Sequence, residues 1–158
     1  MPDLSNPSLQ LGKPWLVTGG AGFIGSRFAE LLVSQVIPNQ FSSITVVDNL
    51  TYSGNLSNLN SVISTPEFYF HKVDICNQAE VEGVINERSI DVIANFAAES
   101  HVDRSIESSY EFLQTNVMGT QNLLDLAKKH GIKRYLQVST DEVYGAIPTG
   151  SWEEDEPL

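Results

Sequence analysis

Short, continuously apolar runs alternate along the chain with longer amphipathic segments. Such runs are typical of strands that are covered on both faces. The predicted helices span residues 23–36 and 78–88, and a longer helix begins near Ser108 and ends near Gly131. This alternation predicts an α/β fold, a doubly wound parallel sheet of Rossmann type that is truncated after about five strands. The predicted strands are residues 15–18, 44–47, 68–73, 92–96 and 135–138.

Both ends of the chain lack this pattern. Residues 1–13 are polar and contain two prolines, which predicts a flexible leader, and residues 151–158 predict an acidic tail. Residues 14–150 then form one domain. Within it, residues 49–66 are rich in Asn and Ser and predict mainly a loop with one helical turn. Ser108 begins a capping-box pattern that places the start of the longest helix there.

Composition excludes several classes of protein. The chain has 158 residues with 9 Lys and Arg against 20 Asp and Glu, a net charge of −11, which disfavours a nucleic-acid partner. We find no apolar run of the roughly 20 residues that a membrane helix needs, and no secretory signal pattern. The single cysteine, Cys76, excludes an intrachain disulfide and a Cys-rich zinc site. We therefore expect a cytoplasmic protein with no membrane association and no metal.

A glycine-rich motif follows the first predicted strand. Gly19, Gly22 and Gly25 have G-x-x-G-x-x-G spacing, which permits a tight turn and close approach to a pyrophosphate. The next helix would offer its unpaired N–H groups to the phosphates. Asp48 ends the second strand about 20 residues later, where a carboxylate binds ribose hydroxyls and disfavours a 2′-phosphate. The motif predicts a dinucleotide site that prefers NAD to NADP; a glycine turn without a ligand is the alternative.

Other strand ends carry candidates with more than one interpretation. Asp74–Ile75 lies where an adenine edge would sit, but an aspartate there is also a common helix cap. The small pair Ala97–Ala98 suits either close passage of a flat cofactor or ordinary packing. His101 is a candidate base or a structural hydrogen-bond donor, and Asn116 is a functional residue or a solvent-facing polar position in the long helix.

A hydroxyl and two adjacent carboxylates follow the fifth predicted strand. Thr140, Asp141 and Glu142 would lie at the carboxyl end of the sheet, where open α/β sheets bind their ligands. Neighbouring carboxylates repel each other, which favours one as a proton donor and the other as a base. An elimination needs such a pair; the alternative is a hydrated acidic turn.

Five segments of the chain together resemble the dTDP-glucose 4,6-dehydratases, which are extended short-chain dehydrogenases/reductases. The glycine motif is shared by the whole superfamily, whereas the Thr-Asp-Glu triplet and the segment Glu-Ser-His-Val-Asp-Arg-Ser are narrower signals. Related 4-epimerases usually carry serine or small residues at positions 141 and 142. The resemblance covers roughly residues 14–157 and rests on residues 18–25, 48–56, 95–105, 115–120 and 139–145.

The resemblance implies a lyase that uses NAD to convert dTDP-glucose to dTDP-4-dehydro-6-deoxy-glucose. Hydride would pass from sugar C4 to NAD, Glu142 would remove the C5 proton, Asp141 would protonate the departing C6 hydroxyl, and the hydride would return to C6. Thr140 would hydrogen-bond the C4 oxygen, and Ser100 would contact the substrate. A homodimer is implied for the full-length protein. The implied NAD site consists of Gly19, Phe23, Ile24, Asp48, Asp74, Ile75, Ala97 and Ala98.

One family feature is missing from this sequence. The Tyr-x-x-x-Lys pair of the family deprotonates the C4 hydroxyl and holds the nicotinamide ribose, but none of the tyrosines at 52, 69, 110, 135 and 144 has a lysine four positions on. The substrate-binding half of the family is also absent. We therefore expect a partial chain that binds NAD weakly and does not turn over dTDP-glucose alone. The alternatives are another NAD-dependent nucleotide-sugar epimerase, dehydratase or decarboxylase, or a non-catalytic nucleotide-binding module.

Overall fold

A single parallel sheet organises the chain. The computed structural model describes residues 13–36, 41–101, 103, 106, 108–147 and 149–157. Within them the strand order is β3-β2-β1-β4-β5 and every neighbouring pair is parallel. The chain order switches direction between β1 and β4, so the predicted doubly wound fold is confirmed. The strands are β1 (Lys13–Thr18), β2 (Phe41–Asp48), β3 (Phe68–Lys72), β4 (Val92–Asn95) and β5 (Arg134–Gln137).

Helices cover both faces of the sheet. Helix α1 spans Phe23–Val33, and α2 spans Gln78–Arg88 with the predicted bounds. The helical segment 110–129, here called α3, has an α-helical turn, a π-helical stretch and a second α-helical part. These are Tyr110–Phe112, Leu113–Gly119 and Thr120–Lys129. Short 3₁₀ turns lie at Leu56–Leu59, inside the predicted loop 49–66, and at Asp141–Tyr144, directly after β5.

The core lies in two layers, one on each face of the sheet. Successive residues of β1, Leu16 and Val17, point to opposite layers and are both fully buried. This explains why the strands appear in the sequence as continuous apolar runs. Helix α1 covers the layer that contains Val17, Ala29, Leu32, Ile44 and Val46. Helices α2 and α3 cover the layer that contains Leu16, Val81, Ile85, Ile93, Leu123 and Leu126.

Helix α1 differs from its prediction in length and in the face that it buries. It ends at Val33 rather than at Val36, and Gln35 beyond it has a positive φ of 57°. Phe23 and Ile24, which belong to the predicted apolar pattern, are 90% and 62% exposed. The buried face consists instead of small residues and one leucine, which let the helix lie close to the sheet: Gly25, Ser26, Ala29 and Leu32.

The longest helix begins near Ser108 as predicted, but its cap and its middle differ from the expectation. The helix begins at Tyr110 after Ser109, and the Ser108 hydroxyl donates to the Glu111 carboxylate instead of capping the backbone. The middle of α3 is π-helical, which changes the angle between successive side chains. Leu113 and Val117 therefore leave the face of Leu123 and are exposed.

The ends of the described domain are close to the predicted ones. Strand β1 begins at Lys13, the last residue of the predicted leader, and the Lys13 ammonium lies 3.0 Å from the Asp91 carboxylate. Residues 1–12 lie outside the described residues. In the acidic tail, the Trp152 ring stacks on Tyr144 with centroids 6.1 Å apart, and its indole N–H donates to the Gly145 carbonyl at 3.3 Å.

Candidate functional site

The turn between β1 and α1 brings backbone against backbone. Gly19 has a φ of +65°, and a Cβ there would lie 2.5 Å from the backbone nitrogen of Ala97. A Cβ on Gly25 would collide with the carbonyl oxygen of Gly19. The Gly22 N–H closes the turn by donating to that same carbonyl at 3.1 Å. The turn is therefore a shallow cradle that only glycine backbone can form, as the motif predicts for a site that holds a pyrophosphate.

The start of α1 offers backbone N–H groups at this cradle. Gly22 is the N-cap, and the described residues provide neither a side-chain cap nor an acidic residue in the first turn. Phe23 and Ile24 begin the helix, but their side chains line a separate apolar recess with Phe28 and Phe96. Their contribution to the predicted dinucleotide site is therefore limited to the backbone, whose orientation suits an anion.

Most of the predicted cofactor residues line one groove at the carboxyl ends of β1, β2, β3 and β4. The predicted members are Gly19, Gly22, Asp48, Asp74, Ile75, Ala97 and Ala98, while Gly25 packs beneath the turn. The residue-by-residue analysis missed five polar members of the lining, all of which lie in the segments that carry the family resemblance: Asn49, Thr51, Ser53, Glu99 and Thr115.

The two aspartates of the groove are held by hydrogen bonds from nearby groups. Asp48 accepts from the Ala21 N–H at 2.9 Å and from the Leu50 N–H at 2.8 Å, one bond to each oxygen. Asp74 accepts from the Asn49 amide at 2.9 Å and from the Cys76 N–H at 2.8 Å. Each carboxylate oxygen can accept a second hydrogen bond, so both residues are oriented and still able to bind hydroxyl groups.

The side chain of a buried asparagine, Asn95, links the ends of neighbouring strands at this edge of the sheet. The side-chain oxygen of Asn95 accepts from the Thr18 hydroxyl and from the Ala97 N–H, the latter at 3.1 Å. Its amide group donates to the Gln137 side chain at 2.9 Å. Asn95 is fully buried, and these bonds connect the ends of β1, β4 and β5. The sequence does not indicate this role, because a polar residue at the end of a strand is usually exposed to solvent.

The π-helical stretch of α3 holds the loop after β4. The Asn116 side chain accepts from the Glu99 N–H at 2.8 Å and donates to the Glu99 carbonyl at 2.9 Å. The Cys76 thiol donates to the Gln114 carbonyl at 3.2 Å, and burial raises the pKa of this thiol to about 11. Asn116 is thus both solvent-facing and structural. π-Helical turns are frequent at functional sites.

A second cleft adjoins the groove at Ala97 and Ala98 and extends to the end of β5. It contains the predicted residues Ser100, Thr140 and Glu142, so the structure brings these three together. The other described members are Glu99, Phe112, Asn116, Thr120, Gln137, Val138 and Ser139. Asp141 begins the 3₁₀ turn, but its side chain lies outside the described part of the structure. His101 is exposed and is not part of either cleft lining.

Neither a metal site nor a membrane-spanning helix is found among the described residues. No group of three or more His, Cys, Asp and Glu side chains among them is suited to hold a metal ion. In the same part of the chain, no helix has the length and apolar character required to cross a bilayer.

Comparisons with known proteins point to one family. The family model described as GDP-mannose 4,6 dehydratase matches residues 16–158. A dTDP-glucose 4,6-dehydratase from Actinoplanes sp. is 52% identical over 145 residues, which are 90% of this chain and 45% of that protein. The corresponding protein from Salmonella typhimurium is 39% identical and is matched over 84% of this chain and 38% of its own length. The chain thus spans less than half the length of these curated relatives.

Solved structures agree with these matches. DesIV, a dTDP-glucose 4,6-dehydratase from Streptomyces venezuelae crystallised with NAD and TYD, superposes with a TM-score of 0.84 at 47% identity, covering 92% of this chain and 45% of DesIV. A UDP-Glc/GlcNAc 4-epimerase from Campylobacter jejuni gives a TM-score of 0.81 at 27% identity, covering 93% of this chain and 43% of the epimerase. The same fold therefore serves dehydratases and epimerases, and the side chains in the clefts must distinguish the two.

Proposed function

Since this chain belongs to the GDP-mannose 4,6 dehydratase family, we propose that it is the NAD-binding and acid–base part of a dTDP-glucose 4,6-dehydratase. The observation that carries the proposal is the continuity of two clefts. The groove over the glycine turn joins, at Ala97 and Ala98, the cleft that contains Thr140 and Glu142. A dinucleotide in the groove would place its reactive end beside those side chains.

NAD fits the residues of the groove. The glycine cradle and the N–H groups at the start of α1 would hold the pyrophosphate. Asp48 would bind the adenosine ribose hydroxyls, Asp74 and Ile75 would lie along the adenine, and Ala97–Ala98 would flank the nicotinamide half. When bound, NAD supplies a hydride acceptor for the hexose C4 carbon. The oriented Asp48 carboxylate would repel the 2′-phosphate of NADP.

The second cleft supplies the groups for loss of water. Thr140 would donate to the C4 oxygen, and Glu142 would take the proton from C5 once a 4-ketone makes it acidic. Asp141 would give a proton to the C6 hydroxyl as it leaves, and Ser100 would contact the sugar nucleotide. Proton transfers of this kind typically contribute about 10²–10⁴-fold each. The family likeness supports these roles, together with the shared cleft of Ser100, Thr140 and Glu142.

A nucleotide-sugar 4-epimerase is the second candidate, because 4-epimerases have the same fold. The acid pair favours the dehydratase. Epimerisation at C4 needs no proton removal from C5 and no acid for a C6 leaving group, whereas residues 141 and 142 are both carboxylic acids. A non-catalytic nucleotide-binding module would need neither.

Cofactor binding is tested by fluorescence titration of the 158-residue chain with NADH and NADPH. We expect saturable NADH binding and affinity for NADPH that is at least about 10-fold lower, because one unfavourable charge contact is worth about that factor. Asp48→Asn should reduce the difference between the two cofactors, and Asp125→Asn on the outer surface of α3 is the matched control. Equal affinity for both cofactors in the unchanged chain would contradict the assignment of Asp48.

The reaction is tested in a protein that carries this sequence together with a Tyr-x-x-x-Lys helix. Conversion of dTDP-glucose to the 4-keto-6-deoxy sugar is followed by NMR, with UDP- and GDP-glucose as competing substrates. Glu142→Gln should lower kcat by about 10²–10⁴-fold while NADH affinity stays constant. Formation of a 4-epimer, with kcat unaffected by the substitution, would favour the epimerase.

Two further properties remain proposals that rest on the sequence and on family likeness. We propose a cytoplasmic location, to be checked by fractionation, and a homodimer for the longer protein, to be checked by light scattering.

A further inference from the structure

We propose that Tyr52 and Glu99 form a clasp across the mouth of the dinucleotide groove and slow the release of the bound cofactor. The Tyr52 hydroxyl donates to the Glu99 carboxylate at 3.0 Å, although the residues lie 47 positions apart. The inference deepens the proposed function and rests on its NAD site.

Topology places this hydrogen bond above the groove. Tyr52 follows β2 and Glu99 follows β4, and these two strands lie on either side of β1 in the sheet. The glycine turn that follows β1 therefore lies between the two loops. Thr51 and Ser53, which flank Tyr52, line the groove from one side, and Ala98 and Glu99 line it from the other. The Tyr52–Glu99 hydrogen bond therefore joins the two loops on either side of the glycine turn, and in the proposed clasp it spans the entrance to the groove.

The loop that carries Tyr52 is anchored on both sides of that residue. Before it, Asp48 accepts from the Leu50 and Ala21 N–H groups. After it, the Asn55 N–H donates to the Ala21 carbonyl at 3.0 Å, and the Asn58 amide donates to the same carbonyl at 2.9 Å. This arm of the clasp is therefore attached directly to the glycine turn.

The opposite arm is held by α3. Asn116 binds both the N–H and the carbonyl of Glu99. The backbone of Glu99 is therefore fixed, and the Glu99 side chain extends from it to Tyr52. Among the described residues, the Tyr52–Glu99 hydrogen bond joins the two anchored arms, and it is exposed to solvent. An exposed hydrogen bond between rigid arms can open without unfolding either arm, which is what a releasable clasp requires.

Slow release agrees with the chemistry proposed for the site. The hydride that leaves C4 returns to C6 of the same sugar, so the cofactor is regenerated in each turnover. It does not need to leave between cycles. A hydrogen bond between the two arms therefore does not lower the turnover rate, and it reduces the loss of cofactor from the site.

The test is stopped-flow measurement of NADH dissociation from the 158-residue chain, with excess NAD⁺ as the chase. Tyr52→Phe and Glu99→Gln should each raise the dissociation rate by about 3- to 10-fold, the range expected for one hydrogen bond. The association rate should rise by a similar factor, because the contact is also made in the cofactor-free chain, and the Tm of the cofactor-free chain should stay the same. The double variant should release NADH no faster than the faster single variant, because both changes remove the same contact.

Matched controls exclude general effects of the substitutions. Tyr110→Phe removes an exposed hydroxyl from the start of α3, and Glu67→Gln removes a charge at the opposite edge of the sheet, before β3. Neither should change the rate. Unchanged dissociation in both clasp variants, additive effects, or a change confined to association would overturn the clasp while leaving the NAD site intact. Failure of the unchanged chain to bind NADH would overturn both.

Discussion

The two halves of the sheet differ in how completely their apolar residues are packed. The half with the proposed NAD site, here called the cofactor half, comprises β1, α1, β2 and β3 with their connections. The half with the proposed acid–base residues, here called the catalytic half, comprises β4, α3, β5 and the turn Asp141–Tyr144. In the cofactor half, the glycine turn is joined to Asp48 and Asn55 by hydrogen bonds to Ala21. In the catalytic half, Leu136 of β5 is exposed, as are Leu113 and Val117 of α3.

This difference in packing suggests that the proposed cofactor binding and the proposed acid–base chemistry depend on different parts of the fold. A cradle made of backbone needs only the strand, turn and helix that form it, so the cofactor half is built from contacts within the chain. The catalytic cleft depends on side chains at the end of an edge strand, beside apolar surface that the described residues leave exposed. The chain also matches less than half of its relatives' length. We therefore expect cofactor binding to be the more self-sufficient of the two functions.

The largest contrast should come from shortening one leucine in each half. Leu32 of α1 is 0% exposed and Leu136 of β5 is 47% exposed. Leu32→Ala should lower the free energy of unfolding by about 2–5 kcal/mol, because it leaves a cavity in the core. Leu136→Ala should change it by less than about 0.5 kcal/mol. Urea denaturation followed by circular dichroism measures both, and equal losses would show that the catalytic half is packed as firmly as the other.

A smaller effect is expected from adding a methyl group to the glycine turn. Gly25→Ala forces the turn away from α1, because the new Cβ would meet the Gly19 carbonyl oxygen. We expect a loss of about 1–3 kcal/mol in the free energy of unfolding, with weakened NADH binding. Gly83→Ala in α2 is the control, since no described atom lies within 4 Å of its Cβ position. It should stabilise the chain by about 0.5–1 kcal/mol and leave NADH affinity unchanged.

The smallest effect concerns an ionic contact that lies away from both clefts. Glu82 of α2 accepts from Lys129 and from His130, each at 2.7 Å, and these hydrogen bonds lower the pKa of its carboxyl below 4.5. A lowered acid pKa stabilises the fold above the unfolded value, and this contribution is lost as the pH falls through the folded value. Glu82→Gln should therefore lower the Tm slightly at pH 7, and the difference from the unchanged chain should disappear as the pH falls through the pKa of the folded carboxyl. A difference that grows toward acid pH would contradict this assignment. Glu67→Gln is the control.

Patterns within one segment predicted much of the fold. The five apolar runs became five parallel strands, and α2 has its predicted bounds, because strand burial and helical periodicity are local properties of sequence. Helix α3 shows where this stops. Its π-helical stretch is stabilised by the contacts of Asn116 with Glu99 and by the close approach of Gly119 to Ile75, where a Cβ would lie 2.5 Å from the Ile75 side chain. Neither partner is near in sequence.

The sequence alone determined the type of sheet, the glycine turn, and the residues at the strand ends, because each depends on a few neighbouring residues. Parallel strands then carry those ends to one edge whatever the loops between them do. The tertiary structure decided that the side chains of Phe23 and Ile24 line a separate apolar recess, that Asn95 is buried, and that Tyr52 meets Glu99. These outcomes depend on how segments that are far apart in the sequence pack together. The spacing of residues along the chain does not reveal that packing.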